Sequence, residues 1–175
     1  FLQASKSGAD AILNAIIPNI KNGDMLLDLF SGVGIYSFYL ADKAKYISAY
    51  EIAPEMIKSM EENITRHNLQ NKISAYCRNI DTSPLSQNEL SKYNVAIINP
   101  PRTGALKQVS TLATAGIEKI IIVSCNSQTF ARDAKILHEN GYELKTLSAI
   151  DQFYYSHHLE QVGVFVNTDS ISKAN

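Results

Sequence analysis

The sequence predicts an α/β protein built on a mostly parallel seven-stranded sheet, with helices on both faces and a terminal antiparallel hairpin. Three observations carry this reading. Short apolar segments alternate with amphipathic ones along nearly all of the 175 residues, the pattern of repeated strand–helix units. The strand segments are apolar almost continuously, as strands covered on both faces must be. Only about ten residues separate the last two strand segments, too few for a parallel crossover, so that pair is antiparallel.

Taken in order, Ala9–Ile20 sets Ile12, Leu13, Ile16, Ile17 and Ile20 on one helical stripe, interrupted at Pro18, whose ring cannot continue a helix. Asp24–Phe30 is a short buried strand, Gly32-Val33-Gly34 a turn, and Ile35–Ala44 a helix apolar on most sides and therefore buried. Tyr46–Ile52 is the second strand and Pro54–Asn68 the next helix, with Pro54 suited to the first turn and Ile57, Met60 and Ile64 as its buried stripe. Lys72–Cys77 and Asn94–Asn99 are the third and fourth strands, the latter ended by Pro100-Pro101. A loop and a helix lead to the fifth, Lys119–Cys125. Asn126 or Ser127 can cap the helix that follows, whose stripe is Phe130, Ala134 and Leu137, and Gly141 can stop it. Tyr142–Ile150 and Gln161–Val166 form the final pair, and the mostly polar stretch Asn167–Asn175 is expected to fray. Without repeat or linker, residues 1–175 read as one domain.

Composition narrows the function classes. A hydrophobic share of 45% is that of a globular chain, and no apolar run approaches the ~20 residues that span a bilayer, so no membrane partner is expected. The start, Phe1-Leu-Gln-Ala-Ser, lacks a secretory signal and an initiator Met, so a cytoplasmic piece of a longer protein is expected. Two cysteines about fifty residues apart give neither a disulfide framework nor a zinc pattern. The formal charge of −1 supplies no basic footprint for nucleic acid.

Ligands of such sheets bind at the carboxyl ends of the strands, and the distinctive residues gather there. "DLFSGVG", Asp28 to Gly34, follows a strand and opens a helix, and Gly32 and Gly34 let the backbone approach a ligand. Glu51 ends the next strand, where a carboxylate can accept two ribose hydroxyls; an ordinary tight turn and a solvated glutamate are the plainer alternative. A dinucleotide fingerprint wants Gly or Ala where Ser37 stands between Tyr36 and Phe38. That bulk suits a cofactor without a pyrophosphate, so S-adenosylmethionine (SAM) is the better reading. Asn99-Pro100-Pro101-Arg102 ends strand four with a rigid extended turn that can aim the Asn99 side chain at a substrate or methyl donor. Cys125 ends strand five, either as a small core residue or as a thiol presented at the ligand-binding end. Cys77 is read as a core cysteine.

Five blocks resemble the catalytic domain of the RNA uracil-C5 methyltransferase family: FLQ at Phe1–Gln3, DLFSGVG at Asp28–Gly34, NPPRTGA at Asn99–Ala105, VSCNSQTFARD at Val123–Asp133, and DQFYYSHHLE at Asp151–Glu160. The resemblance implies a Rossmann-like class I SAM-dependent methyltransferase that makes 5-methyluridine in tRNA or ribosomal RNA. It implies SAM contacts at Gln3, Phe30, Ile35, Glu51, Asn79 and Asn99, a nucleophile at Cys125 and a general base at Glu160. It also implies N-terminal RNA-binding modules outside this sequence. The family usually carries Asp where Asn99 stands, so a charge–charge attraction to the methionine ammonium is missing. Its C-N-P is C-N-S here, and Ser127 can serve at the helix start.

The chemistry fits those residue types. Uracil C5 is too weak a nucleophile to attack a sulfonium methyl until a thiolate has added at C6. The C5 proton must then leave before the thiolate is expelled, a task for a carboxylate. Arg102 can meet a phosphate or orient the uracil, or simply face solvent. Phe153, Tyr154 and Tyr155 can stack on a flipped base or pack in the core. Adjacent His157 and His158 point apart with no third ligand suitably spaced, so no metal is expected; His158 is assigned to the base loop or to RNA. Two rivals remain: an Asn-Pro-Pro-type nitrogen methyltransferase without need of Cys125, and a non-catalytic RNA-binding domain with weakened SAM binding. The sequence does not fix oligomeric state; a monomer is expected.

Overall fold

A computed structural model describes residues 6–151 and 159–169; Gln3, Phe153, Tyr154, Tyr155, His157 and His158 lie outside the described residues. Among the described residues seven strands form one sheet: β1 (Met25–Leu29), β2 (Tyr46–Glu51), β3 (Ile73–Cys77), β4 (Val95–Ile98), β5 (Lys119–Ser124), β6 (Tyr142–Ile150) and β7 (Glu160–Asn167). Their order is β3-β2-β1-β4-β5-β7-β6. All pairs from β3 to β5 are parallel, and β7 inserts antiparallel between β5 and β6. The direction of winding reverses between β1 and β4, which opens a crevice at their carboxyl ends.

Six helices among the same residues cover the faces: α1 (Lys6–Ile16), α2 (Ile35–Leu40), α3 (Pro54–Arg66), α4 (Gln87–Leu90), α5 (Leu106–Ala115) and α6 (Ser127–Glu139). Two apolar clusters flank the sheet. One is built on Ile12, Ile16, Leu40, Ile47 and Met60, the other on Leu29, Ile98, Leu112, Ile122 and Phe165. The expected stripe of α3 is the buried one. In α6 the buried positions are Phe130, Asp133 and Leu137, with Ala134 only half-buried. Among the described residues no helix is long and apolar enough to cross a membrane.

Several expectations need correction. α1 begins at Lys6 and gives way after Ile16 to a 3-10 turn, Ile17–Asn19, that contains Pro18. α2 stops at Leu40 rather than Ala44, and Tyr39 on it is 61% exposed, so this helix buries only one side. Cys77 is exposed, because β3 is the outermost strand on its side; its thiol donates to the Ile52 carbonyl at 3.5 Å. Of the stretch expected to fray, residues 170–175 lie outside the described residues, while Asn167 N–H donates to the Glu118 carbonyl and Thr168 N–H to the Gly141 carbonyl.

Gly163 fixes how closely α6 can lie on the hairpin. A Cβ there would stand 2.6 Å from Phe130 Cζ and 3.0 Å from Phe165 Cε2, both ring atoms in a packed core. We expect Gly163→Ala to lower unfolding stability by about 1–3 kcal/mol through overpacking, measured by urea denaturation.

Candidate active site

The end of each central strand contributes one element to a shared cavity of about 410 Å³. Across the sheet, from β3 to β7, its lining runs through Asn79, Glu51, Phe30, Asn99 and Cys125 to Glu160. Glu51 and Cys125 are three strand steps apart, about 14 Å at ordinary strand spacing. Pro100, Pro101 and Arg102 line the middle.

At one end, Glu51 is aimed before any ligand arrives. Its Oε2 accepts from Gly32 N–H at 2.9 Å, and its Oε1 from the N–H groups of Ile52 and Ala53 at 2.8 and 3.1 Å. A carboxylate so held can still accept from hydroxyl donors. Gly32 thus acts through Glu51 and does not itself line the cavity. Gly34 and Ile35 do not line it either. Gly34 caps α2 at φ +84°, and a Cβ there would lie 2.6 Å from Met60 Cε. Ile35, the first residue of α2, packs against the core. Phe30 lines the cavity from a left-handed backbone conformation, φ +60°, an uncommon state for a bulky residue.

Below that loop, Asp28 is fully buried and accepts from the Ser37 hydroxyl at 2.7 Å, while its Oδ1 has no hydrogen-bond partner among the described residues. Burial lifts its pKa to about 6; hydrogen bonds from Ser37 oppose the rise, and the nearby Glu51 charge adds to it.

Asn79 opens a tight turn: its Oδ1 accepts from Thr82 N–H and its carbonyl from Ser83 N–H. Arg78 holds this turn closed, donating to the carbonyls of Ser83 and Pro84 at 2.8 Å each and pairing with Glu89 at 2.5 Å. Arg78, together with the Ser86 N–H and hydroxyl, holds the Glu89 carboxyl down at about 2. Arg78, Ile52, Ile80 and Asp81 also line the cavity, and sequence reading missed all four. The S-x-x-E spacing of Ser86 and Glu89, which forms a capping box on α4, is the signal that points to this helix.

At the other end, the strand register brings Cys125 and Glu160 together. The last antiparallel pair of β5 and β7 is Ser124 with Gln161, so the next rung sets Cys125 opposite Glu160. Cys125 is half-buried and Glu160 is 1% exposed. Gln161 Nε2 donates to Ser127 Oγ at 2.5 Å, tying the start of β7 to the first residue of α6. The exposed Arg102 sits on the loop between β4 and α5. Among the described residues no group of His, Cys, Asp and Glu side chains could hold a metal ion.

The sequence profile of the tRNA (uracil-5-)-methyltransferase family matches residues 9–169. An RNA methyltransferase of Caulobacter vibrioides, itself uncharacterized, is 36% identical over 94% of this chain and 40% of its own length. A 23S rRNA (uracil(1939)-C(5))-methyltransferase of Shewanella denitrificans is 34% identical over 84% of this chain and 32% of its own. Among solved structures, Pyrococcus abyssi tRNA (uracil-54, C5)-methyltransferase, in complex with S-adenosyl-L-homocysteine, superposes with a TM-score of 0.78. It is 27% identical and covers 95% of this chain and 40% of its own. The chain thus spans two fifths or less of the length of these relatives. With its mostly parallel sheet closed by an antiparallel hairpin, the chain has the Rossmann-like fold of SAM-dependent methyltransferases. It belongs to the tRNA (uracil-5-)-methyltransferase family.

Proposed function

We propose that this domain methylates C5 of a uridine in tRNA or ribosomal RNA in the cytoplasm, with SAM as methyl donor and Cys125 as a transient covalent nucleophile. One observation carries the reading: Cys125 and Glu160, one step beyond the last β5–β7 pair, line the same cavity that Glu51, Asn79 and Asn99 line. The activity of the relatives named above supports the choice of uridine C5 and of SAM.

The residues present fit SAM. The preset Glu51 carboxylate suits a ribose diol. Ile52 and Ile80 offer apolar surface, and Asn79 and Asp81 polar edges, for an adenine. Asn99 offers a carbonyl oxygen for an ammonium. Bound there, SAM supplies an electrophilic methyl group. The Cys125 thiolate adds to uracil C6, and the C5=C6 electrons move into the C5–C4–O4 system, so that C5 becomes the nucleophile. After C5 is methylated, the Glu160 carboxylate takes the C5 proton. The electrons of that C–H bond re-form C5=C6, and the Cys125 thiolate leaves.

The test uses the full-length protein with SAM and RNA containing 5-fluorouridine, whose C5 carries no removable proton. A denaturation-stable protein–RNA complex is expected, absent in Cys125→Ala, which also loses methyl transfer. A Cys125→Ala variant that still transfers methyl groups would overturn the covalent mechanism in favour of a nitrogen methyltransferase working through Asn99-Pro100-Pro101.

A further inference from the structure

Cys125 is followed directly by Asn126, one of four residues at the start of α6 that hold the Arg102 loop. Asn126 has extended backbone and caps α6: its Oδ1 accepts from Gln128 N–H at 3.0 Å and Thr129 N–H at 3.4 Å. Its Nδ2 faces the other way and donates to the Arg102 carbonyl at 3.0 Å. The same loop is gripped further along. Thr129 Oγ1 donates to the Arg102 carbonyl, Arg132 to the Thr103 carbonyl, and Asp133 Oδ2 accepts from Ala105 N–H, each at 3.4 Å. Asp133 is 1% exposed and paired to Arg132 at 2.7 Å. Residues 126, 129, 132 and 133 recur at helical spacing, so one face of α6 holds the loop's backbone. Gly104 is where contact is tightest: a Cβ there would meet Thr129 Cβ and Asp133 Oδ2, both at 3.0 Å.

We infer that Asn126 is a positioning residue that fixes the Cys125 thiol relative to the Arg102 loop, so that a uracil held by that loop presents C6 to the sulfur. This rests on the covalent reading proposed above. The amide is the group needed: one end must accept to cap the helix while the other donates to a carbonyl. Aspartate or serine can cap α6 equally well. Aspartate would set an oxygen against the Arg102 carbonyl, and serine is too short to reach it.

The discriminating experiment compares wild type, Asn126→Asp and Asn126→Ser in the full-length protein. It measures thermal unfolding, SAM affinity, and the rate of covalent complex formation at saturating 5-fluorouridine RNA. Unfolding and SAM affinity are expected to stay near wild type. The rate of complex formation is expected to fall about tenfold to a hundredfold in both variants, as misplacement of a reacting pair by about 1 Å would cause. Wild-type rates in both variants would overturn the positioning role alone. Parallel losses of folding and SAM binding would also overturn it, making Asn126 a structural cap. Absence of any complex in wild type would overturn the covalent reading and this inference with it.

Discussion

Glu160→Gln is expected to stall the enzyme after methyl transfer rather than before it. Under the proposed mechanism the thiolate can add and C5 can take its methyl group without Glu160, but the C5 proton then has no base. The product accumulates as a covalent protein–RNA complex formed on ordinary uridine RNA, resistant to denaturation and carrying one methyl group per protein. Turnover falls about a hundredfold to ten-thousandfold, the usual range for removal of a positioned general base. Glutamine is nearly isosteric, and the neighbouring Gln161–Ser127 hydrogen bond still fixes the start of β7, so unfolding should change little. Gel electrophoresis with labelled SAM reads both quantities. Normal turnover without a trapped complex would remove Glu160 from the base role.

The second large effect is on stability and concerns Asp28. Its pKa lies at about 6 in the folded protein against an unperturbed 3.8, so between those values the folded state binds more protons than the unfolded one. Stability therefore falls as pH rises through this window. Below about pH 3 the carboxyl is largely neutral in both states and the penalty is nearly absent. Above about pH 6 it is fully expressed, at about 3 kcal/mol for a shift of this size. An asparagine in place of the acid would stay neutral throughout while still accepting from Ser37. The stability difference between Asp28→Asn and wild type is thus expected to move by about 3 kcal/mol in the variant's favour from pH 3 to pH 7. Urea unfolding at intervals across that range measures it. A difference that does not vary with pH would mean the buried carboxyl is not the titrating group.

Much of this architecture was legible because strands covered on both faces write themselves as apolar runs. The chain's alternation led to all seven strands, and the short spacing before Gln161 to the antiparallel closure. Strand-end residues such as Glu51, Asn99 and Cys125 could be assigned to one edge from their places in those runs. What stayed hidden depends on neighbours distant in sequence. Cys77 follows a run like that of a central strand, yet strand order leaves it on an exposed edge. Apolar content does not reveal which side of the six residues of α2 meets the core, and Tyr39 faces away from it. Arg78 gave no sign of its hold on the Asn79 turn, because its partner Glu89 lies eleven residues on, across a loop. Nor did Asn126 reveal that its second hydrogen bond would reach Arg102.

The β5–β7 register carries a consequence for how this domain can change in length. Because Glu160 and Cys125 stand one step beyond the last pair of the antiparallel β5–β7 ladder, a residue gained or lost between Glu160 and Gly163 would turn the carboxylate to the opposite face of the sheet. Insertions and deletions in that stretch therefore remove the candidate base without altering any side chain in it. The outer strand is under no such constraint. Between Leu144 and Thr146, β6 already carries a register shift against β7, an irregularity of the kind edge strands accommodate. Over descent, length variation in this hairpin should collect in β6, while β5 and β7 keep a fixed count of residues.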